Sequence, residues 1–491
     1  MSMVDESVIR ILTPMFAVGL FDDVNNNTLD NNVLSEDHNR FARTLSSASH
    51  VLLKNDDSTL PLKKSKSKIA IFGKSALEPV VAGGGSGAVT PPYVISPLMG
   101  IANALGISIP DSNAFSCNTT KLIKNARIKQ FGCLSGPGAS PEDCCSKCGK
   151  LSSCHTFSYE DGKCGFYPNS NELKFEGGGV VGECVKPVPS SEWRCNDAGV
   201  CIAYHDGQDL ESATALALEA DYNIVAISQF AKEGSDRENL SFDVTKTSQT
   251  CQVVPMHQNE LVATIASTDK TTIVTISAPG AVLLPWKDDV DAIVIGFMPG
   301  QEYGNALADV VFGDVNPSAK LTLTIPNKEN EINFSAIQYP GILNEEVYLE
   351  RSLIDYRWYT SKGVTPAYPF GHGLSYTSFE YSQMTIDKAI DSRKVTITIK
   401  NIGNVVGCEV VQLYIQFPKE TMSPPLQLKG FHKTRPLQPA DEERLILTLT
   451  SKELSIWDVA KQSFRVVPGT YTISVGASSA DIRLSAAIQV L

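Results

Sequence analysis

The cysteines of this 491-residue chain are concentrated in one segment, which limits how that segment can fold. Of the 12 cysteines, those within the segment are Cys117, Cys133, Cys144, Cys145, Cys148, Cys154, Cys164, Cys184, Cys195 and Cys201. An even, dense set in a loop-rich stretch is typical of a small module held together by disulfides, which form in oxidising compartments. The sequence therefore predicts a disulfide-rich insert over residues 110–203 and an extracellular or secretory location.

Zinc binding is the alternative use of these cysteines. Cys145 and Cys148 have the spacing of one paired ligand set, and Cys154 and Cys164 follow them. A second paired set with finger-like spacing is missing from the sequence, so the pattern favours disulfides. No metal site is predicted.

Secretion agrees with the glycosylation sequons but not with the first residues. Asn-x-Ser/Thr sites occur at Asn26, Asn118, Asn239 and Asn333. Residues 1–22 lack the basic region and the cleavage site of a signal peptide, and no stretch reaches the ~18 apolar residues of a membrane span. We therefore expect no membrane segment and a natural N-terminus upstream of this one.

Helical and strand patterns alternate on both sides of the insert. Helices are predicted near residues 38–53, 96–105, 209–220, 257–267 and 302–312, and strands near 68–73, 223–228, 272–277, 292–297 and 320–325. Such alternation predicts a largely parallel, doubly wound α/β sheet. Residues 36–109 and 204–325 would then form one domain that the insert splits in sequence.

The two ends of the chain have other patterns. Residues 1–35 contain a predicted amphipathic helix followed by a polar linker, and residues 326–378 form an irregular, aromatic-rich connection. In residues 379–491, short alternating segments are separated by turn signals. This last pattern is typical of an all-β sandwich of the fibronectin type III or immunoglobulin class.

Charge and motif content exclude several functions. The net charge of −12 and the lack of a basic cluster argue against a nucleic-acid partner. The loop Gly83–Gly87 does not open a helix as a dinucleotide fingerprint would, and Gly73-Lys74-Ser75 lacks the first glycine of a P-loop. Carboxylates and glycine loops remain, a combination suited to a carbohydrate ligand.

The strongest candidate for chemistry is Glu233. It lies in the sequence Lys-Glu-Gly-Ser-Asp-Arg, which follows a β-prone apolar segment and so marks a strand end, where α/β folds keep their chemistry. Partial burial would raise the pKa of this carboxyl into the range of a general acid. In the alternative interpretation, Asp236 and Arg237 form a local ion pair and Glu233 is a solvated loop residue.

Six motifs in order resemble the C-terminal half of glycoside hydrolase family 3, the β-glucosidase and β-xylosidase family. They occupy residues 43–62, 69–73, 83–87, 232–237, 299–318 and 368–376. The final sandwich also has the place of this family's fibronectin type III-like domain. Within the insert, the cysteine pattern around residues 144–164 resembles an apple or PAN module.

The resemblance implies roles for individual residues. Glu233 corresponds to the catalytic acid/base of a retaining exo-acting β-glycosidase, which uses no metal or organic cofactor. The residues expected to support the substrate loops are Gly84, Gly85, Ser86, Asp236 and Arg237. The family's nucleophile is an aspartate on a preceding (β/α)₈ barrel, and we expect residues 1–35 to be a remnant of that barrel's last helix.

Several alternatives stay open at this point. The chain is either a fragment of an enzyme acting on a β-linked oligosaccharide or glycoside, with the barrel as its partner in cis, or a carbohydrate-binding or scaffold protein derived from the family. Glucosides and xylosides are not distinguished. The insert either binds polysaccharide or only decorates the enzyme. His372 and the aromatic residues Trp286, Trp358 and Tyr376 are predicted to be structural.

Overall fold

The computed structural model describes most of the chain. The described residues are 3–22, 33–109, 116–117, 122–124, 127–128, 134–149, 154, 156–167, 173–174, 180–185, 191–243, 257–387 and 392–490. They belong to two compact units, residues 1–41 and residues 42–491.

The α-helices of the described residues are Met3–Ala17, Glu36–Ser49, Pro97–Ala104, Pro141–Gly149, Leu210–Glu219, Gln258–Ala266, Tyr303–Val311 and Tyr356–Lys362. In the first unit, the helix Met3–Ala17 agrees with the amphipathic pattern, and its apolar side chains, such as Ile11 and Phe16, are exposed. No helix in the described ranges is long and apolar enough to cross a membrane.

The second unit is built on a seven-stranded sheet. Its strands, in spatial order, are Val51–Asn55, Ala292–Ile295, Thr271–Ser277, Tyr222–Ser228, Ser67–Phe72, Val200–His205 and Arg194–Cys195. The five inner strands run parallel and the two edge strands run antiparallel. The predicted doubly wound α/β fold is confirmed, with a mixed sheet.

A hydrophobic core lies on each face of this sheet. Along the strand Ser67–Phe72, Ala70 and Phe72 enter one core, whereas Ile69 and Ile71 enter the other. Successive side chains of a strand point to opposite faces, so a strand covered on both sides is apolar throughout. This double burial fixes the sheet and aligns the carboxyl ends of its parallel strands at one edge.

Three predictions for this domain were wrong in detail. The helix predicted over residues 38–53 ends at Ser49, and the apolar run that follows is the edge strand Val51–Asn55, because periodicity cannot separate a short buried strand from a helix. Residues 320–325 do not form the predicted strand: bends occupy residues 322 and 323, and Ile325 forms an isolated bridge with Tyr368. The predicted insert, residues 110–203, was also too long at its C-terminal end, since the strands Arg194–Cys195 and Val200–His205 belong to the α/β sheet.

Short strands and one helix form the described part of the insert. The strands are Ser116–Cys117, Ile123–Lys124, Arg127–Ile128, Leu134–Pro137, Thr156–Glu160, Lys163–Tyr167, Leu173–Lys174 and Val180–Val185. Disulfides join Cys144 to Cys164 and Cys148 to Cys154. These bonds, with the buried ring of Phe157, form a core of their own.

The C-terminal region is a sandwich of two antiparallel sheets, as predicted. One sheet contains Phe379–Ile386, Ser392–Asn401 and Glu442–Thr450, and the other contains Gln427–Lys433, Val410–Gln416, Gly469–Gly476 and Ile482–Val490. A separate hairpin pairs Ser455–Asp458 with Ser463–Val466. The alternating side chains of both sheets, such as Ile397, Leu413 and Ile473, form one shared core.

Candidate active site

Glu233 lies on a turn beyond the carboxyl end of the central strand Tyr222–Ser228. Residues 231–240 are here called the acid loop. Lys232 and Ser235 form an isolated bridge, which closes a tight turn around Glu233 and Gly234. Gly234 has a φ of +74°, a conformation that glycine adopts without steric cost. The turn places the Glu233 side chain in an exposed position.

A second loop, residues 83–86, lies directly against the acid loop and is here called the glycine loop. The Gly84 N–H donates to the Ala231 carbonyl at 3.0 Å, and the Glu233 N–H donates to the Gly84 carbonyl at 3.2 Å. Gly85 has a φ of +99°, and a Cβ placed on it would overlap the Cβ of Glu233. The close approach of the two loops therefore requires glycine at position 85.

Ser86 holds the carboxylate of Glu233. Its backbone N–H donates to Oε2 of Glu233 at 2.8 Å, and its hydroxyl donates to the same oxygen. The structure thus brings Gly84, Gly85 and Ser86 to Glu233, residues that the sequence analysis placed in one site.

The expected rise in the pKa of Glu233 is wrong for this structure. The side chain is exposed rather than partly buried. The hydrogen bonds from the Ser86 hydroxyl and backbone N–H stabilise the ionised form and hold the pKa of Glu233 below its ordinary value. Desolvation acts in the opposite direction but is the smaller effect.

Asp236 and Arg237 have separate partners instead of forming the local ion pair of the alternative interpretation. Asp236 accepts a hydrogen bond from the Tyr339 hydroxyl at 3.4 Å. Nη2 of Arg237 donates to the Ala281 carbonyl at 2.9 Å, and burial lowers the pKa of this guanidinium. Each side chain therefore ties the acid loop to a different part of the domain.

Residues 326–355 also contact the acid loop, and these contacts were not predicted from the sequence. Besides Tyr339, Glu329 contributes by accepting a hydrogen bond from the Leu240 N–H. Both residues lie in a segment that was interpreted only as irregular and aromatic-rich. No local sequence signal identifies such partners, because they are 103 and 89 positions away from the residues that they contact.

A serine, a histidine and an aspartate meet after the strand Val200–His205, but their hydrogen bonds do not form a nucleophilic triad. The Gly207 N–H donates to Nδ1 of His205 at 3.0 Å, so Nε2 carries the proton and donates to the Ser212 hydroxyl at 2.9 Å. Ser212 in turn donates to Asp209 at 2.6 Å. His205 therefore cannot take the serine proton, and the cluster stabilises the start of the helix Leu210–Glu219.

The cysteines that the zinc alternative required are engaged in disulfides. Besides the two bonds within the insert, Cys195 is joined to Cys201 in the edge hairpin of the α/β sheet. The Sγ atoms of Cys145 and Cys184 lie 3.1 Å apart. Cys117 lies opposite Cys184 in a strand pair, whereas Cys133 is outside the described residues.

The tryptophans, the tyrosine and the histidine that were predicted to be structural all contact other residues of the protein. Trp286 is buried and donates to Asn259 at 2.9 Å. The Tyr376 hydroxyl donates to the Val310 carbonyl at 2.7 Å, and Nε2 of His372 lies 2.8 Å from the Leu53 carbonyl. Trp358 lies edge-on to the ring of Tyr359.

Family models match most of the second unit. Residues 50–376 match the glycosyl hydrolase family 3 C-terminal domain, and residues 409–479 match a fibronectin type III-like domain. The first match covers most of the split α/β domain and of the irregular connection.

Curated relatives and solved structures agree with these matches. The chain is 31% identical over 458 residues to thermostable beta-glucosidase B of Acetivibrio thermocellus, covering 92% of this chain and 48% of the relative. It is 30% identical over 522 residues to probable beta-glucosidase L of Neosartorya fischeri, covering 98% of this chain and 58% of the relative. The chain thus spans about half the length of these relatives.

The fold is similar to two solved β-glucosidase structures. Beta-D-glucoside glucohydrolase from Trichoderma reesei superposes with a TM-score of 0.72 at 26% identity, over 99% of this chain and 60% of that one. Beta-glucosidase 3B from Thermotoga neapolitana, in complex with α-D-glucose, superposes with a TM-score of 0.67 at 28% identity, over 93% of this chain and 54% of that one.

Proposed function

Because the chain belongs to glycosyl hydrolase family 3, we propose that it is the C-terminal part of a retaining, exo-acting β-glucosidase in which Glu233 is the acid/base. The observation that carries this proposal is the anchoring of the Glu233 carboxylate by Ser86 at the carboxyl edge of the sheet. The relatives described above are named β-glucosidases, which favours glucosides over xylosides as substrates.

In the proposed reaction, protonated Glu233 gives its proton to the glycosidic oxygen while a second carboxylate attacks the anomeric carbon from the opposite face. The bond from that carbon to the leaving group breaks, and a covalent glycosyl intermediate forms. Glu233, now ionised, then takes a proton from the water that hydrolyses the intermediate. This second step restores the original anomeric configuration.

The second carboxylate must lie about 5–5.5 Å from the acid on the other side of the sugar. Asp236 is poorly placed for this role, since it follows Glu233 on the same loop and accepts a hydrogen bond from Tyr339. We infer that the nucleophile is an aspartate of a (β/α)₈ barrel outside the described residues. The relatives, about twice as long as the segments that match, have room for such a domain.

Substrate binding has to change the protonation of Glu233. In this structure the carboxylate is exposed and its pKa is lowered, whereas the first step requires the protonated form. Enclosing the carboxyl between a sugar and an opposing domain would remove water from it and raise its pKa.

A second function, carbohydrate binding without hydrolysis, is favoured by the exposure and the lowered pKa of Glu233. An exposed, ionised glutamate beside a glycine loop can accept hydrogen bonds from sugar hydroxyls without acting as an acid. In this case the family fold would serve as a scaffold, and no nucleophile would be needed.

Hydrolysis of 4-nitrophenyl β-glucoside, 4-nitrophenyl β-xyloside and cellobiose would test these functions. The chain should be compared with a version extended upstream through the genomic reading frame, both with oxidised cysteines. We expect the extended protein to cleave the glucosides. Glu233→Gln should reduce cellobiose cleavage most, because 4-nitrophenolate leaves with little help from an acid.

Azide provides a specific control for the role of Glu233. In Glu233→Gln, azide should restore turnover of the aryl glucoside, because an anionic nucleophile needs no general base. If the extended protein binds cellobiose without cleaving any substrate, the binding function stands and the catalytic one is wrong.

We also propose that the insert, as an apple- or PAN-like module, binds polysaccharide, and that the chain is a secreted glycoprotein. The disulfides support an oxidising compartment. The test is affinity electrophoresis on cellulose, xylan and glucan gels of the full chain and of a chain in which residues 112–190 are replaced by a short Gly/Ser linker. Equal retardation of the two proteins, each measured against its own migration on a gel without polysaccharide, would exclude the binding role.

A further inference from the structure

We propose that Ser86 is a positioning residue for the acid/base: its N–H and hydroxyl hold Oε2 of Glu233 and leave Oε1 to exchange the proton with the leaving group. This inference rests on the proposed function and adds to it a division of roles between the two carboxyl oxygens.

The contacts of the two loops carry the proposal. Both Ser86 donors reach the same oxygen, so the contacts within the described part of the chain hold the carboxyl through Oε2. The position of Ser86 is itself fixed by the hydrogen bonds between Gly84 and the acid loop on either side of Lys232. Glu233 is exposed, so its carboxyl is accessible to a ligand from solvent.

Two donors on one oxygen also affect when the proton is available. They stabilise the carboxylate, so a higher proton concentration is needed to protonate it. In general acid catalysis, the alkaline limb of the pH–rate profile follows the pKa of the acid. Ser86 would therefore set both the orientation of the acid and the upper end of the working pH range.

The test is a titration of Glu233 by ¹³C NMR in the full chain labelled at the glutamate carboxyl carbons. The signal of Glu233 is the one that disappears in Glu233→Gln. We expect Ser86→Ala to shift its midpoint to higher pH, because one of two donors is lost while the backbone N–H remains. Ser86→Thr keeps the hydroxyl and should return the midpoint to that of the unmodified chain.

In the upstream-extended protein, Ser86→Ala should shift the alkaline limb of the pH profile of kcat/KM for cellobiose to higher pH by the same interval. Ser86→Thr should leave this limb where it lies in the unmodified protein. A midpoint unchanged in Ser86→Ala, or changed equally by both variants, would overturn the proposal. The NMR readout needs no turnover, so this result is independent of whether the protein is an enzyme. Circular dichroism of each variant confirms that the fold is retained.

Discussion

The position and the pKa of the Glu233 carboxylate depend on a small number of neighbouring atoms. Two donors of one serine control the charge of the carboxylate, and one glycine provides the space for their approach. His50, elsewhere in the domain, has the opposite environment: its ring is buried, whereas Glu233 is exposed to water. Both residues lead to predictions at the level of single side chains.

Gly85→Ala should separate the acid loop from the glycine loop. The added Cβ would overlap Cβ of Glu233 and lie 2.8 Å from its Oε2, at a φ that side chains rarely adopt. We expect a destabilisation of about 1–2 kcal/mol and a rise in the pKa of Glu233 as it leaves Ser86. Chemical denaturation and the carboxyl titration measure these effects.

Gly87→Ala is the matched control for that substitution. A Cβ at position 87 would have no neighbour within 4 Å. The titration of Glu233 should therefore stay unchanged in Gly87→Ala. An equal shift in both variants would mean that general loop strain, and not the contact at Gly85, is responsible.

His50 should make the stability of the domain depend on pH. Burial disfavours its charged form and lowers its pKa to about 4, while the unfolded chain has a histidine pKa of about 6.5. The unfolded state therefore binds the proton first as the pH falls. Stability is complete above pH ~6.5 and decreases by about 3 kcal/mol down to pH ~4, where the loss ends.

Urea denaturation at pH 7, 5.5 and 4 would measure this dependence. His50→Asn keeps a donor for the Ser46 carbonyl, which Nδ1 of His50 contacts at 2.6 Å, but has no titrating ring. The variant should be less stable at pH 7 and lose less stability on acidification. If the free energy of unfolding of His50→Asn changes with pH as much as that of the unmodified chain, the pH dependence comes from other groups.

At the level of elements, the α/β domain and the sandwich are joined by a buried ion pair. Nζ of Lys320 lies 2.9 Å from Glu409, and both side chains are nearly buried, with 12% and 8% of their surface exposed. Lys320 also donates to the Gly373 carbonyl at 2.8 Å, and Glu409 accepts from the Val410 N–H at 2.8 Å. The pair thus connects the segments that precede and follow the irregular connection.

Glu409→Ala should destabilise the protein by about 3 kcal/mol, because Lys320 is left charged and buried without its partner. Replacing both residues, as Lys320→Met with Glu409→Leu, should recover most of this loss. Thermal unfolding of the single and double variants measures the difference. The exposed pair of Arg483 and Asp481 is the control, and Arg483→Ala should cost less than about 1 kcal/mol.

At the level of the whole molecule, residues 337–354 expose an unusual number of large apolar side chains. They are Ile337, Tyr339, Ile342, Leu343, Val347, Tyr348, Leu349 and Ile354. Large apolar patches are rare on a free monomer and are typical of a contact surface, so several exposed apolar side chains in one short segment make it a candidate for such a surface. The segment also contacts the acid loop through Tyr339.

This apolar segment should bind a hydrophobic dye in the 491-residue chain. Replacing Leu343, Tyr348 and Leu349 together with serine should lower the fluorescence of bound ANS and leave the melting temperature within a few degrees. Met422→Ser removes an isolated exposed side chain of the sandwich and should have no such effect. Fluorescence unchanged in the triple variant would locate the dye elsewhere.

Local patterns in the sequence were sufficient for several features. Short, continuous apolar runs identified the central strands, because a strand that is buried on both faces is hydrophobic along its whole length. Crowded cysteines indicated disulfides, and the motif around Glu233 indicated a strand-end loop with a carboxylate. Each of these properties depends on residues that are neighbours in the chain, so a linear pattern contains it.

Only the tertiary structure decided the electrostatics of the site. Ser86 is 147 positions from Glu233, and Tyr339 is 103 positions from Asp236. Ser86 and Glu233 meet because the strands Ser67–Phe72 and Tyr222–Ser228, which precede them, are parallel neighbours, although the whole insert separates the strands in sequence. The sequence by itself determined which groups are available for chemistry. The order of the strands in the sheet determined which of these groups touch. The hydrogen bonds from Ser86 lower the pKa of Glu233, whereas a rise was expected.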